Sequence, residues 1–100
     1  EPLREGQEFE LLGLKWTALE TPGHTAGSMC YYIGEEGILL SGDTLFCESY
    51  GRTDLPTGSQ AQIADSIRGK LFALPEDTMV YPGHGDPTTI GHEKMYNPMA

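Results

Sequence analysis

Three short apolar segments of this chain each end in a glycine-containing turn that carries a metal-ligating residue type. The three turns present His24, Asp43 and His84. Loops at strand ends hold side chains on a rigid scaffold and leave them accessible, and imidazole and carboxylate are usual ligands of zinc, iron and manganese. Each turn taken alone is as typical of a simple tight turn as of a metal site. The repetition at three strand ends is what favours a metal site.

The glycine and proline content indicates a strand-rich chain with many turns rather than a helix bundle. The 100 residues include 13 glycines and 7 prolines, and 38% of them are hydrophobic. This is enough apolar material for one small ordered domain, or for a piece of a larger one.

Four segments are predicted to form strands. Residues 8–12 and 14–20 form a hairpin around a glycine, residues 28–33 are rich in aromatic side chains, and residues 78–81 form a short strand. A fifth segment, residues 37–41, is continuously apolar and is predicted to be a strand buried on both faces. Residues 47–58 are predicted to form a long loop.

Two helices are predicted in the second half of the chain. The main one spans residues 59–73, where Ser59 and Gln62 have capping-box spacing and Ile63, Ile67 and Leu71 form an apolar stripe. A short C-terminal helix is predicted over residues 90–96.

The charge balance excludes two classes of partner. A formal net charge of -9 argues against binding to nucleic acid or to an anionic membrane, because both need a basic face. No apolar run is long enough to cross a bilayer, and the chain opens on Glu1–Arg4 without a signal peptide or a methionine. We therefore expect a cytoplasmic, processed or truncated chain, in which Cys30 and Cys47 stay free thiols.

The amino-acid sequences of the turns are similar to motifs of a known family. Thr21–Ser28, Ser41–Phe46 and Tyr81–Gly85 resemble, in the same order, the third, fourth and fifth motifs of the metallo-β-lactamase superfamily. Two further segments, Gly51–Pro56 and Thr88–Pro98, look like the bacterial enzymes of the glyoxalase II (hydroxyacylglutathione hydrolase) type. The resemblance covers nearly the whole chain, and it is to the C-terminal half of that family's domain only.

The resemblance implies a role for each of the three side chains. His24 matches a ligand of a first metal, His84 matches a ligand of a second metal, and Asp43 matches the catalytic carboxylate that bridges both. Two divalent metals are implied, zinc foremost, with iron and manganese as alternatives. The family's N-terminal H-x-H-x-D-H motif is absent from these 100 residues, so we expect the centre to be incomplete or empty in this chain alone.

The resemblance also implies an architecture. The family fold is an αβ/βα sandwich of two similar halves, and residues 1–100 are expected to form one α+β unit that matches the second half. It would have a mostly antiparallel sheet, the main helix on the outer face and the short C-terminal helix. The inner sheet face would be left exposed, either to bind the missing N-terminal half or to self-associate as a two-fold dimer.

The leading functional expectation is that the parent enzyme hydrolyses a small-molecule thioester of the S-lactoylglutathione kind, and that these 100 residues are inactive alone. Two alternatives stay open. One is a persulfide dioxygenase with a single iron, and the other is a non-catalytic, metal-free scaffold or interaction domain.

Three residues outside the turns are candidates of lower priority. Arg52 contacts an anionic substrate, or it forms a structural ion pair within its own loop. Cys47 is predicted to be a packing residue rather than a reactive thiol, and His92 a surface residue of the C-terminal helix.

Overall fold

The computed structural model describes residues 5–100. Residues 1–4, where the sequence predicts no signal peptide, lie outside the described part. The elements in chain order are β1 (Glu8–Leu11), β2 (Leu14–Glu20), β3 (Met29–Ile33), β4 (Ile38–Gly42), β5 (Leu45–Phe46), β6 (Ser49–Tyr50), α1 (Gln60–Ser66), a π-helical segment (Ile67–Leu71), β7 (Met79–Pro82), β8 (Thr88–Thr89) and α2 (Ile90–Tyr96).

Six strands form one sheet in the order β1-β2-β3-β4-β7-β8, and β5 and β6 form a separate two-stranded sheet. All neighbours in the larger sheet are antiparallel except β4 and β7, which run parallel. The prediction of an α+β fold with a mainly antiparallel sheet and two helices is confirmed. Because β4 and β7 are parallel, the turns that follow them emerge at the same edge of the sheet.

One face of the sheet carries the hydrophobic core. Leu39 of β4 and Val80 of β7 are fully buried on this face, and they belong to one cluster with three residues on the helical side, Ile63, Ile67 and Leu71. The four-residue spacing of these three side chains turns them towards the sheet. Burial of several large aliphatic side chains, at about 2 kcal/mol each, stabilises the packing of helix on sheet.

The other face of the sheet is open. Tyr31, Leu40 and Tyr81 lie side by side on neighbouring strands; Tyr31 and Leu40 are half-buried and Tyr81 is 41% exposed. The prediction that β4 is buried on both faces is therefore wrong. Its apolar run is continuous because one face of the strand lies in the core and the other face is also apolar. No described residue covers that second face fully.

The main helix is shorter and less regular than predicted. Ser59 caps α1 by accepting a hydrogen bond from the backbone N–H of Gln62 at 3.2 Å, as its position predicts. The helix then widens into the π-helical segment and ends at Leu71 rather than at residue 73. The backbone N–H of Phe72 reaches back five residues to the carbonyl of Ile67 at 2.9 Å, which closes this wider turn.

The predicted loop 47–58 begins with regular structure. Phe46 pairs with Ser49 and Leu45 pairs with Tyr50, so Cys47 and Glu48 form the two-residue turn of a hairpin. Glu48 has a φ of 56°, a left-handed conformation that favours glycine or asparagine. Because neither stands there, the sequence carries no hairpin signal at this point.

The C-terminal helix has the predicted bounds, and an acidic side chain fixes it to the fold. Thr89 caps α2 by accepting a hydrogen bond from the backbone N–H of His92 at 3.1 Å. Glu93, on the inner side of the helix, is fully buried. No helix within residues 5–100 combines the length and the apolar character needed to cross a membrane.

Candidate metal centre

The three side chains singled out by their turns converge at one edge of the sheet. Asp43 follows β4, His84 follows β7, and His24 lies on the turn that follows β2. Nε2 of His24 is 3.7 Å from Oδ2 of Asp43, and Nε2 of His84 is 3.5 Å from Oδ1 of the same carboxylate. The aspartate thus presents one oxygen to each imidazole.

These distances fit ligands of a shared metal better than hydrogen bonds. A hydrogen bond between nitrogen and oxygen is about 2.9 Å long, shorter than either contact. Two ligands that are each about 2.1 Å from a tetrahedral zinc lie about 3.4 Å apart. The donor set therefore fits one metal between His24 and Asp43 and a second metal between Asp43 and His84, with two ligands from this chain for each.

The ring of His24 is held in the orientation that a metal ligand requires. Its Nδ1 lies 2.8 Å from the backbone carbonyl oxygen of Arg52. A carbonyl only accepts, so Nδ1 carries a hydrogen, and Nε2 is the ring atom on the side of Asp43 that is available to a metal. The side chain is 18% exposed, whereas that of His84 is 81% exposed, so the His24 side of the centre is the more enclosed.

Two buried hydroxyls connect the turns that carry His24 and Asp43. Oγ1 of Thr21 and Oγ1 of Thr44 are 3.1 Å apart, and Oγ1 of Thr21 also lies 3.3 Å from the Cys30 thiol. Burial raises the pKa of that thiol, although bonds to Thr21 and Thr44 act in the opposite direction. Cys30 therefore stays protonated and takes part in packing the two turns together.

Close backbone packing around the centre requires glycine at two positions. A Cβ on Gly51 would lie 1.9 Å from the carbonyl oxygen of Asp43 and 3.1 Å from Nδ1 of His24. A Cβ on Gly23 would lie 2.2 Å from the Cβ of Ile63 on α1. The turns can approach each other and the helix this closely only because both side chains are missing.

The three side chains line a groove of about 450 Å³, together with Phe46, Gly51, Arg52 and Leu55. The guanidinium of Arg52 donates two hydrogen bonds to Asp54, at 2.6 and 3.1 Å. Hydrogen bonding to Asp54 raises the pKa of Arg52, and the same contact lowers the pKa of Asp54. Both predicted interpretations of Arg52 thus have a structural counterpart, since it is paired within its loop and also faces the groove.

Sequence reasoning missed several residues of this region. Phe46 and Leu55 supply the apolar lining of the groove, and the carbonyl of Arg52 rather than its side chain orients His24. No sequence pattern marks a backbone acceptor. Outside this groove, the buried Glu93 was also missed, although it lies three residues after Ile90 on the inner side of a short helix.

Comparisons with known proteins agree with this geometry. The family model described as the metallo-beta-lactamase superfamily matches residues 1–84. The chain belongs to this superfamily. A probable metallo-hydrolase of Streptococcus pyogenes is 46% identical over 92 residues, which cover 92% of this chain and 40% of that protein. The hydroxyacylglutathione hydrolase GloC of Haemophilus influenzae is 41% identical over 95 residues, covering 95% of this chain and 45% of that protein.

Solved structures of the superfamily share the fold. BLEG-1 B3 metallo-beta-lactamase matches with a TM-score of 0.91 and 43% identity, over 96% of this chain and 46% of that one. ETHE1 from Myxococcus xanthus matches with a TM-score of 0.90 and 40% identity, over 96% and 44%. TTHA1623 in a di-iron-bound form matches with a TM-score of 0.88 and 40% identity, over 100% and 48%. The chain is therefore half of the superfamily fold, and it spans less than half of each of these relatives.

Proposed function

We propose that the whole protein is a metal-dependent hydrolase that acts on a small-molecule thioester of the S-lactoylglutathione kind. The observation that carries this proposal is the position of the Asp43 carboxylate between His24 and His84. The similarity to a hydroxyacylglutathione hydrolase supports the choice of substrate class. Zinc is the proposed metal, and iron is the main alternative because TTHA1623 is a di-iron protein in its solved form.

The two-sided position of Asp43 favours a binuclear hydrolase over an enzyme with one iron. A carboxylate that serves a single metal has no need to present its second oxygen to another imidazole. A bridging carboxylate holds two dications close together and offsets their repulsion. The two-sided carboxylate thus supports a binuclear hydrolase, and the similarity to ETHE1 supports the alternative of a mononuclear persulfide dioxygenase.

Several residues of the groove have a proposed task in such a reaction. Divalent metals in this type of centre lower the pKa of a bound water and polarise a substrate carbonyl. The Arg52 carbonyl keeps the His24 ring in place, and Asp43 lies between the two imidazoles. A thiolate leaves without a strong general acid because the pKa of a thiol is only about 8.5, so imidazole and carboxylate groups are sufficient here.

Arg52 is the proposed substrate-binding cation. Its ion pair with Asp54 lies at the surface, where both side chains are largely exposed. Such pairs contribute little free energy. An anionic group of a substrate in the groove can therefore replace Asp54 as the partner of Arg52 at small cost.

The centre is proposed to be completed by the rest of the domain. This chain supplies two ligands to each metal, whereas a catalytic zinc takes about three protein ligands and a water. We therefore expect tight metal binding and catalysis in the whole protein and neither in the 100 residues alone. The two free thiols, Cys30 and Cys47, suit a cytoplasmic location because the cytoplasm is reducing.

The first prediction concerns turnover by the whole, metal-loaded protein. Asp43→Asn is expected to lower kcat/KM for S-lactoylglutathione by at least about a hundredfold, because the amide loses the charge that holds the metals. The matched control is Glu35→Gln, which makes the same chemical change at an exposed turn between β3 and β4. Equal activity of the Asp43→Asn and Glu35→Gln proteins would refute the proposal.

Metal analysis of the same preparations separates the alternatives. Two metals per whole protein with thioester turnover support the hydrolase. A single iron with oxygen consumption identifies the dioxygenase, and absence of bound metal identifies the scaffold. Measurable thioester hydrolysis by the 100 residues alone would contradict the division of the site between two halves.

A further inference from the structure

A second group of metal-ligating side chains adjoins the centre of His24, Asp43 and His84, since Cys47 and His84 line the same groove. Cys47, in the turn between β5 and β6, lies beside His92 and Glu93 of α2. One ligand atom from each of these three residues lies within 4.8 Å of the other two. They share no residue with the first centre.

We propose that Cys47, His92 and Glu93 bind a divalent cation that prefers sulfur and nitrogen ligands, with zinc as the type of ion. Thiolate, imidazole and carboxylate are the three ligand groups that zinc uses in proteins. Ligands at zinc distances lie about 3.5 Å apart around the ion, so small side-chain movements from the observed separation would close the site. The proposal does not depend on the function of the first centre.

Glu93 is already fixed in the position of a ligand. Its Oε1 accepts hydrogen bonds from the backbone N–H of Glu48 at 2.9 Å and from Nδ2 of Asn97 at 2.8 Å. Its Oε2 accepts one from Oγ1 of Thr88 at 2.7 Å. A carboxylate oxygen accepts two hydrogen bonds or ligand contacts, so Oε2 keeps a free lone pair although the side chain is fully buried.

A further oxygen donor lies at the same place. Oε2 of Glu48 is 2.8 Å from Nε2 of His92, and Glu48 directly follows Cys47 in the chain. With Cys47, His92 and Glu93, the Glu48 carboxylate completes four ligands around the ion, which is the coordination number that zinc takes in structural sites. The ring of His92 also packs against the ring of Tyr96, with 4.8 Å between the ring centroids.

The site is open to an incoming ion. Cys47 and His92 are half-buried, and they line a groove of about 290 Å³ with Pro87, Thr88 and Thr89. Binding requires the Cys47 thiol to release its proton to the solvent, as zinc binding to cysteine does generally. The ion would then tie the β5–β6 hairpin to α2.

A purely structural role accounts for only part of this cluster. The hydrogen bonds of Glu93 are sufficient to hold α2 on the hairpin, and they involve neither the thiol of Cys47 nor the imidazole of His92. The imidazole of His92 adds a docking contact of its own to Glu48, so the Cys47 sulfur is the ligand atom that takes no part in this docking. Variants of these two residues separate the two roles.

The second prediction is tested with the purified chain, reduced, and with cobalt(II) as the probe. Cobalt(II) takes the tetrahedral geometry of zinc, and a cobalt–thiolate bond absorbs in the near ultraviolet. The expected result is a thiolate band that saturates at one cobalt per chain and disappears on addition of zinc. Cys47→Ser should abolish the band, and His92→Ala should weaken cobalt binding at least about tenfold.

Two matched variants keep the result specific. Cys30→Ala removes the buried thiol and should leave the band, as should the double variant His24→Ala/His84→Ala, which removes the first centre. Circular dichroism of Cys47→Ser should show the native fold. Absence of the band in the wild-type chain at excess cobalt would overturn the proposal, and so would its persistence in Cys47→Ser.

Discussion

Gly51 is the residue on which the local geometry of the first centre depends most directly. Its backbone N–H donates to the carbonyl of Thr44 at 3.2 Å, and its Cα hydrogen faces the carbonyl of Asp43. The carbonyl of the next residue, Arg52, then accepts from His24. One small residue thus lets the loop after Asp43 pass close enough to orient the ring of His24.

The third prediction is that Gly51→Ala disturbs both stability and metal binding. The new Cβ would lie 1.9 Å from a backbone oxygen, so the loop must move. We expect a loss of about 2 kcal/mol in the free energy of unfolding and at least about tenfold weaker metal binding by the whole protein. Thermal unfolding and metal titration measure the two effects.

Gly27→Ala is the control for this substitution. It adds the same methyl group to the neighbouring turn, where a Cβ would meet nothing within 4 Å. If Gly51→Ala and Gly27→Ala unfold at the same temperature and bind metal equally, the close approach at Gly51 does not control the centre.

At this scale the sequence predicted the convergence of the three ligand-type residues but not their supports. The Pro-Gly-His and Gly-Asp turns are local patterns, so they are visible in the chain itself. The bond from His24 to the Arg52 carbonyl joins residues 28 positions apart. Such a contact exists only after the loop has folded. Because the backbone carbonyl makes it, the residue type at position 52 does not predict it.

Among the elements, the π-helical segment has a specific task at the end of β2. Nζ of Lys70 donates to the backbone carbonyl of Glu20 at 2.5 Å and to Oε1 of Glu5 at 2.7 Å. The backbone N–H of Glu20 donates to the same Glu5 oxygen at 2.7 Å. These bonds fix the point where the chain leaves β2 for the turn of His24.

The fourth prediction concerns the pH dependence of this connection. Burial alone would raise the pKa of Glu5, but Lys70 and the Glu20 N–H outweigh it and hold the pKa below its ordinary value. A lowered folded-state pKa stabilises the fold above the unfolded-state pKa, about 4.3, and this stability is lost as the pH falls through the lower folded-state value. We expect Glu5→Gln to lower the Tm by about 3 °C at neutral pH.

The difference in Tm between wild type and Glu5→Gln should disappear in acid, where Glu5 is protonated. Glu10→Gln, an exposed position on β1, should show no difference at either pH. A Tm difference for Glu5→Gln that stays constant from neutral to acid pH would exclude the proposed ion pair as its cause. Thermal scans by circular dichroism provide the measurement.

The elements differ in how far their sequences predict them. The end of α2 follows from Pro98, a local signal, and the structure adds Thr89 as the cap at its start. The β5–β6 hairpin was missed because its turn contains Cys47 and Glu48, which lack the usual turn preference. The Glu93 carboxylate holds the backbone of Glu48 from another part of the chain, so this turn depends on tertiary structure.

For the molecule as a whole, the open sheet face is the feature that most affects behaviour in solution. Trp16, Tyr31, Ile38 and Leu40 are half-buried there, and Tyr81 is 41% exposed. Contiguous apolar surface of this kind is a contact site for another protein surface. Since the chain spans 40% of the Streptococcus pyogenes relative, we propose that the rest of the whole domain covers this face.

The fifth prediction is that the isolated chain self-associates through this face as a two-fold dimer. A net charge of -9 opposes association at low salt, so the dimer should strengthen as salt rises. Leu40→Asp places a charge at the centre of the face and should give monomers. Sedimentation at micromolar concentration distinguishes the two states.

Leu12→Asn is the control, because it makes a leucine polar outside the sheet face. Leu12 is 86% exposed at the β1–β2 turn and has a φ of 56°, which asparagine tolerates. This variant should sediment like the wild type. A monomeric wild-type chain, or a dimer that survives Leu40→Asp, would rule out association through the sheet face.

The parallel pairing of β4 with β7 sets the order in which the two sides of the first centre can form. His24 and Asp43 lie on turns of the antiparallel succession β2-β3-β4, whose connections are short. His84 joins them only after β7 has crossed over to β4, with α1 and the π-helical segment in between. Pairing between strands that are far apart in the chain is slow, because the entropy cost of closing the loop is met before the strand contacts form. We therefore expect the His24–Asp43 pair to assemble early in folding and His84 to arrive last.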